Sequence, residues 1–249
     1  MTEKFFGITY TFGRENVKLK IDNILNSNSK GYVCVADGVT LAMSHKNENL
    51  KTVLDNASIT VCDSGWVPLY LKSIYKIQRE QYCGSDLLMD IVSQKKYKIM
   101  FIGASPKTLD ALKIRLSEID NNVSDMHFGS LPFLDVEDFD YPKIAENIKD
   151  YNPDIVFVSL GMPKQEFFMY KLSPYIDRGI LIGVGAAFKF HSGLKDQKRA
   201  PQWVINAKLE WLQRIISEPK KQIKRCSLIV TSLPGIYIKE YKKRKTNNL

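Results

Sequence analysis

Five apolar runs of β type, separated by helical patterns, restrict the fold of this chain more than any other feature. They read YVCVA (32–36), SITVC (58–62), YKIMFIG (97–103), DIVFVSL (154–160) and GILIGVG (179–185). Helical patterns fill the gaps: NENLKTVLDNA (47–57), SDLLMDIVSQ (85–94), SPKTLDALKIRLSEI (105–119), PKIAENIKDY (142–151) and PKQEFFMYKLSPYI (163–176). Ser85 is the expected N-cap of the second of these. Ser105 followed by Pro106 is the expected start of the third. Strands alternating with helices predict an α/β fold, a Rossmann-like, mostly parallel sheet with helices on both faces.

Composition excludes several classes. Four scattered cysteines and three scattered histidines form no metal-ligand pair and no disulfide framework, which fits a reducing compartment. The opening residues, MTEKFFGITYTFG, lack the pattern of a signal peptide. The net charge of +9 is concentrated at one end: residues 217–249 hold nine basic and two acidic side chains, leaving +2 for residues 1–216. Nucleic-acid binding is not expected, since a basic face on the body is its usual footprint. The stretch APQWVINAKLEWLQRIISEP (200–219) predicts a long amphipathic helix ended by Pro219. After it come KKQIKR, the apolar CSLIVTSLPGIYI and KEYKKRK, a pattern suited to lying on a bilayer rather than crossing one. Two domains are expected: a catalytic one over 1–195 and a helical, basic, membrane-docking appendage over 196–249.

In doubly wound sheets, ligands meet the carboxyl ends of strands, where helix N-termini present free N–H groups. Those ends read Ala36-Asp37-Gly38, Cys62-Asp63-Ser64-Gly65, Gly103-Ala104-Ser105-Pro106, Leu160-Gly161-Met162-Pro163 and Gly183-Val184-Gly185-Ala186. Small residues let a backbone approach a ligand closely, and five such turns favour a phosphate-bearing ligand. No GxxxxGKS loop is present, and GVGAAF lacks the third glycine of a dinucleotide fingerprint. Asp63 reads either as a turn or helix cap, or as a carboxylate available as general base; Asp37 has the same two readings. Lys164, Gln165 and Glu166 fall in the first turn of a helix opened by Pro163. Gln165 could read a nucleotide, but on the residues alone the plainer reading is a solvated turn with Glu166 favourable to the helix dipole. Asp138-Phe139-Asp140 matches a DxD metal motif, yet it lies in an acidic loop leading into a helix and is discounted. A nucleotide-dependent dehydrogenase or methyltransferase, or a non-catalytic nucleotide- or nucleic-acid-binding module, stays open at this point.

Four stretches narrow the choice: GSDLL (84–88), IVFVSLGMPKQE (155–166), GVGAAFKF (183–190) and RAPQWVINAKLEWLQRIISEPKK (199–221). Through them the chain resembles the WecG/TagA/CpsF family of bacterial glycosyltransferases. The resemblance implies inverting transfer of a sugar, of the N-acetylmannosamine type or a related hexose, from a UDP-sugar. The implied acceptor is a polyprenyl-diphosphate-linked sugar at the inner face of the cytoplasmic membrane, in cell-surface polysaccharide synthesis. It places the base at Asp63 and a nucleotide-contacting residue at Gln165. Diphosphate-contacting cations fall at Arg214, Lys221 and Lys224, and no metal or other cofactor is implied. With the strand-end readings, the expected donor-binding set adds Asp37, Gly103, Ser105, Gly183 and Gly185. The chain departs from the family where Thr-x-Asn-Pro becomes Val35-Ala36-Asp37-Gly38, where a family Arg becomes Gln81, and where an Asp becomes Lys189. Oligomeric state is not legible.

Overall fold

A computed structural model describes residues 1–194 and 219–247, with no side-chain account for 219–221 or 247. All five predicted strands are present, as β3 (Lys30–Ala36), β4 (Ile59–Cys62), β5 (Ile99–Gly103), β7 (Ile155–Ser159) and β8 (Gly179–Gly183). Every residue of β4, β5 and β8 is buried, as strands covered on both faces require. Three further strands join them: β1 (Thr2–Phe5), β2 (Ile8–Thr11) and β6 (His127–Gly129). β1 and β2 form an antiparallel hairpin turning at Phe6-Gly7, and β2 then pairs in parallel with β4. The eight-stranded order is β1-β2-β4-β3-β8-β7-β5-β6, parallel throughout except for the hairpin.

The helices are α1 (Arg14–Asn26), α2 (Gly38–Ser44), α3 (Glu48–Asp55), α4 (Trp66–Tyr75), α5 (Gly84–Val92), α6 (Pro106–Ser117), α7 (Tyr141–Tyr151), α8 (Lys164–Leu172), α9 (Ala187–His191) and α10 (Pro219–Asn247). Ser105 caps α6 as expected, accepting from Thr108 N at 3.3 Å with Pro106 at the first helical position. Ser85 does not cap: α5 begins at Gly84 with Cys83 in the cap position, two residues before the expected cap.

Alternate residues of the five central strands feed two cores. Cys34, Ala36, Val158 and Leu181 pack with α2, α3, α4, α7 and α8, whereas Val33, Phe101, Phe157 and Ile182 pack with α1, α5, α6 and α9. α10 belongs to the first layer. Its Leu233 and Ile236 are buried in the core cluster that holds Leu41 and Leu71. Ser73 and Tyr237 share a hydroxyl hydrogen bond of 2.8 Å, and Tyr75 Oη donates to Glu240 at 2.7 Å. Part of the apolar stretch expected to lie on a bilayer is therefore covered by protein. Ile223, Val230 and Ile238 stay exposed on the same helix. No helix among the described residues is long and apolar enough to cross a membrane. The predicted helix over 200–219 lies outside the described residues up to 218, and Pro219 is the first residue of α10.

Candidate active site

Neighbouring strands send their following helices to opposite faces: β3 to α2 and β7 to α8 on one side, β8 to α9 and β5 to α6 on the other. Crevices therefore open at the carboxyl edge between β3 and β8, β8 and β7, and β7 and β5. Along this edge, from β4 to β5, stand Asp63, Asp37, Gly183–Gly185, Ser159–Gly161 and Gly103–Ser105. At about 4.8 Å per strand, Asp63 lies roughly 10 Å from Gly183 and roughly 19 Å from Gly103. The arrangement is an elongated row rather than one compact pocket. Two surface cavities, of about 440 and 560 Å³, lie elsewhere, one lined by Lys72 and Lys76 and the other by Tyr32, Tyr141, Tyr170 and Tyr175.

The two acids of the row take different places. Ala36 and Cys62 are register partners, and Asp63 N donates to Ala36 O at 3.0 Å, so Asp37 and Asp63 follow paired residues on adjacent strands. Asp37 is a cap: its Oδ1 accepts from Val39 N (3.0 Å), Thr40 N (2.8 Å) and Thr40 Oγ1 (3.0 Å). Its Oδ2 is ion-paired with Arg225 of α10. Asp63 does not cap α4, whose cap position is Gly65. Its carboxylate and its backbone carbonyl both accept from Gln81 Nε2, at 3.1 and 2.9 Å. Gln81, where the resemblance implies a cation, thus lies beside the candidate base.

The glycines meet their neighbours closely. Gly103 has φ of +97°, and a Cβ there would stand 2.6 Å from Ser159 O. A Cβ on Gly183 would stand 2.7 Å from Met169 Cε and 3.0 Å from Gln165 Nε2. Gly185 is held from both sides: its N–H donates to Gln165 Oε1 at 2.9 Å, and its carbonyl accepts from Ser159 Oγ at 2.7 Å. The hydroxyl of Ser105 is occupied by its cap and by Thr108 Oγ1 at 3.0 Å.

The first turn of α8 is not the solvated turn that its polar sequence suggests. Gln165 and Glu166 are both buried, and Gln165 Nε2 donates to Glu166 Oε1 at 2.9 Å. Both ends of the Gln165 amide are engaged, so a direct nucleotide contact would require it to exchange partners. Desolvation pushes the Glu166 carboxyl up to about 7; the Gln165 hydrogen bond, the backbone N–H of Glu166 itself and Arg225 oppose this, and Asp37 adds to it. Asp140 of the DxD caps α7 through Lys143 N at 3.0 Å.

Of the three expected cations, Lys224 is exposed, Arg214 lies outside the described residues, and the side chain of Lys221 is not described. Among the described residues of the C-terminal segment, the cation that reaches the carboxyl edge is Arg225, one residue from Lys224, a distinction that charge counting along a basic run cannot make. Glu166 was missed because an acid in a first helical turn reads as a surface residue; the adjoining apolar FFM was the one available sign of burial.

A row of small-residue strand ends with two carboxylates at one end defines a doubly wound α/β protein whose ligand site lies at the carboxyl edge. A family model described as "Glycosyl transferase WecG/TagA/CpsF family" matches residues 4–248, and the chain belongs to that family. It is accordingly a glycosyltransferase, as its motifs suggested. Similar curated proteins are named N-acetylglucosaminyldiphosphoundecaprenol N-acetyl-beta-D-mannosaminyltransferase. The one from Bacillus spizizenii is 27% identical over 206 residues, 79% of this chain and 75% of the relative. The one from Bacillus subtilis is 28% identical over 81% of this chain and 76% of the relative. That of Staphylococcus aureus is 24% identical over 83% and 79%.

Proposed function

We propose that this protein transfers a sugar of the N-acetylmannosamine type, or a related hexose, from a UDP-sugar to a polyprenyl-diphosphate-linked acceptor, with inversion at the anomeric carbon. The names of its relatives support the acceptor class and the sugar type. The single observation that carries the chemistry is Asp63: a strand-end acid at the carboxyl edge that does not cap α4, the helix after its strand, and that accepts a hydrogen bond from Gln81. In a single displacement it takes the proton of the acceptor hydroxyl as that oxygen forms its bond to the anomeric carbon and UDP departs. A positioned base contributes roughly 100- to 10,000-fold.

The row suits an elongated ligand, with the nucleotide toward Gly103–Ser105 and the sugar toward Asp37 and Asp63. Backbone N–H groups of the strand-end turns and the α6 and α8 N-termini favour the diphosphate. The charge that grows on the leaving diphosphate is met by basic residues of the C-terminal segment: Arg225, with Arg214, Lys221 and Lys224 as further candidates. No metal is required in this scheme. The exposed Ile223, Val230 and Ile238 of α10, among its lysines, supply the combined apolar and basic surface that holds a peripheral protein on an anionic membrane. The inner face of the cytoplasmic membrane is where such an acceptor and UDP-sugars meet.

Asp63→Asn tests the mechanism. The variant is expected to fold, to bind UDP like the wild type, and to lose at least about 100-fold in kcat. Near-normal transfer by a folded D63N protein removes Asp63 as base.

A further inference from the structure

Glu166 is wholly buried in the first turn of α8 and has no part in the chemistry above. Its Oε1 accepts from Gln165 Nε2 at 2.9 Å, while its Oε2 is buried with no hydrogen-bond partner among the described residues. Ionisable groups act on it from the adjoining elements: Cys34 within β3, Asp37 at the end of β3 and Arg225 of α10. An acid with an idle oxygen is costly to bury, and the neighbouring Phe168 and Met169 fill their places with apolar atoms. Packing alone gives no reason for a carboxyl here.

A reason appears in the order of contacts. The two ends of an amide are alike in shape and opposite in hydrogen bonding. An ionised carboxylate can only accept, so it draws the amide nitrogen of Gln165. The amide oxygen is then turned toward the Gly185 N–H, 2.9 Å away. Ser159 Oγ holds the Gly185 carbonyl from the other side at 2.7 Å. Gly183 has no room for a side chain because Gln165 and Met169 lie against it.

We propose that Glu166 is a positioning residue of the transferase: it fixes the Gln165 amide, which pins Gly185 and sets the Gly183–Gly185 turn in the shape that receives the donor diphosphate. This rests on the UDP-sugar reading above. The burial that raises the Glu166 carboxyl leaves the brace intact, because a proton on Oε2 does not disturb acceptance at Oε1.

Three variants and their combination test it, with UDP affinity by calorimetry and steady-state kinetics as readouts. Glu166→Leu removes the acceptor and is expected to weaken UDP binding and raise the donor KM by about tenfold, with kcat at saturating donor changed far less. Glu166→Gln can still present an oxygen to Gln165 and is expected to recover most of that affinity. Gln165→Met is expected to lose as much as E166L, and the Q165M/E166L double variant no more than either, since both remove one brace. If E166L does not fold, E166Q and Q165M carry the test: Q165M must lose about tenfold while E166Q stays near the wild type. UDP binding by folded E166L as tight as wild type, equal losses in E166Q and E166L, or additive losses in the double variant overturns the positioning role. A wild-type protein with no affinity for UDP overturns the underlying function instead.

Discussion

At the scale of single residues, identical side chains at equivalent positions do different work. Asp37 and Asp63 follow register partners at adjacent strand ends, yet one caps a helix and pairs with an arginine while the other accepts from a glutamine. Sequence offered the same pair of readings for both, because the difference lies in which residue begins the following helix: Gly38 directly after Asp37, Trp66 only three residues after Asp63. Glu166 shows the converse, an acid whose burial no local pattern announced. Its folded-state value of about 7 lies above its ordinary 4.5, so the folded protein binds the proton more tightly than the unfolded chain. Its contribution to stability therefore falls as pH rises between those two values, by about 3 kcal/mol, and is level outside them. Other carboxylates act in the same range, so the comparison with Glu166→Gln isolates it. Urea denaturation from pH 4.5 to 8 is expected to show the variant gaining on the wild type as pH rises to about 7, with no further gain above. A constant difference across that range would mean that Glu166 ionises normally.

At the scale of elements, α10 is both a structural part and a carrier of charge to the site. Leu233 and Ile236 fix its middle in the core, Glu240 anchors it through Tyr75, and Arg225 reaches Asp37 from its N-terminal part. The hydrophobic content of CSLIVTSLPGIYI was evident from sequence, but not its division between core and surface. That division depends on which side of a helical turn faces α2 and α4. The five central strands were legible because they are buried on both faces and so read as unbroken apolar runs. β1, β2 and β6 are short or partly exposed, and their patterns are weak. The role assigned to Arg225 has a local consequence. Arg225→Met is expected to raise hydrogen exchange across residues 222–230 by at least about tenfold, while residues 232–240 keep their protection, because partial unfolding follows the loss of local contacts. Unchanged exchange at 222–230 would show that the ion pair does not hold that end of the helix down.

At the scale of the whole molecule, the alternation of strands and helices specified the doubly wound sheet, and the sheet specified the edge where chemistry can occur. What the residues could not specify was the shape of that edge. The strand order spreads the candidate residues over four strand spacings, roughly 19 Å, which suits a long ligand and places the proposed base, Asp63, at one end of it. The central claim is that this row accepts a UDP-sugar and delivers its sugar, through Asp63, to a polyprenyl-diphosphate acceptor. Its most direct test is product analysis by mass spectrometry and NMR after incubating the full chain with a panel of UDP-sugars and a polyprenyl-diphosphate-linked N-acetylglucosamine. The account predicts acceptor lengthened by one sugar with the N-acetylmannosamine donor or a related hexose donor, with inverted anomeric configuration. Retained configuration, or an acceptor unchanged by every donor in the panel, would contradict it.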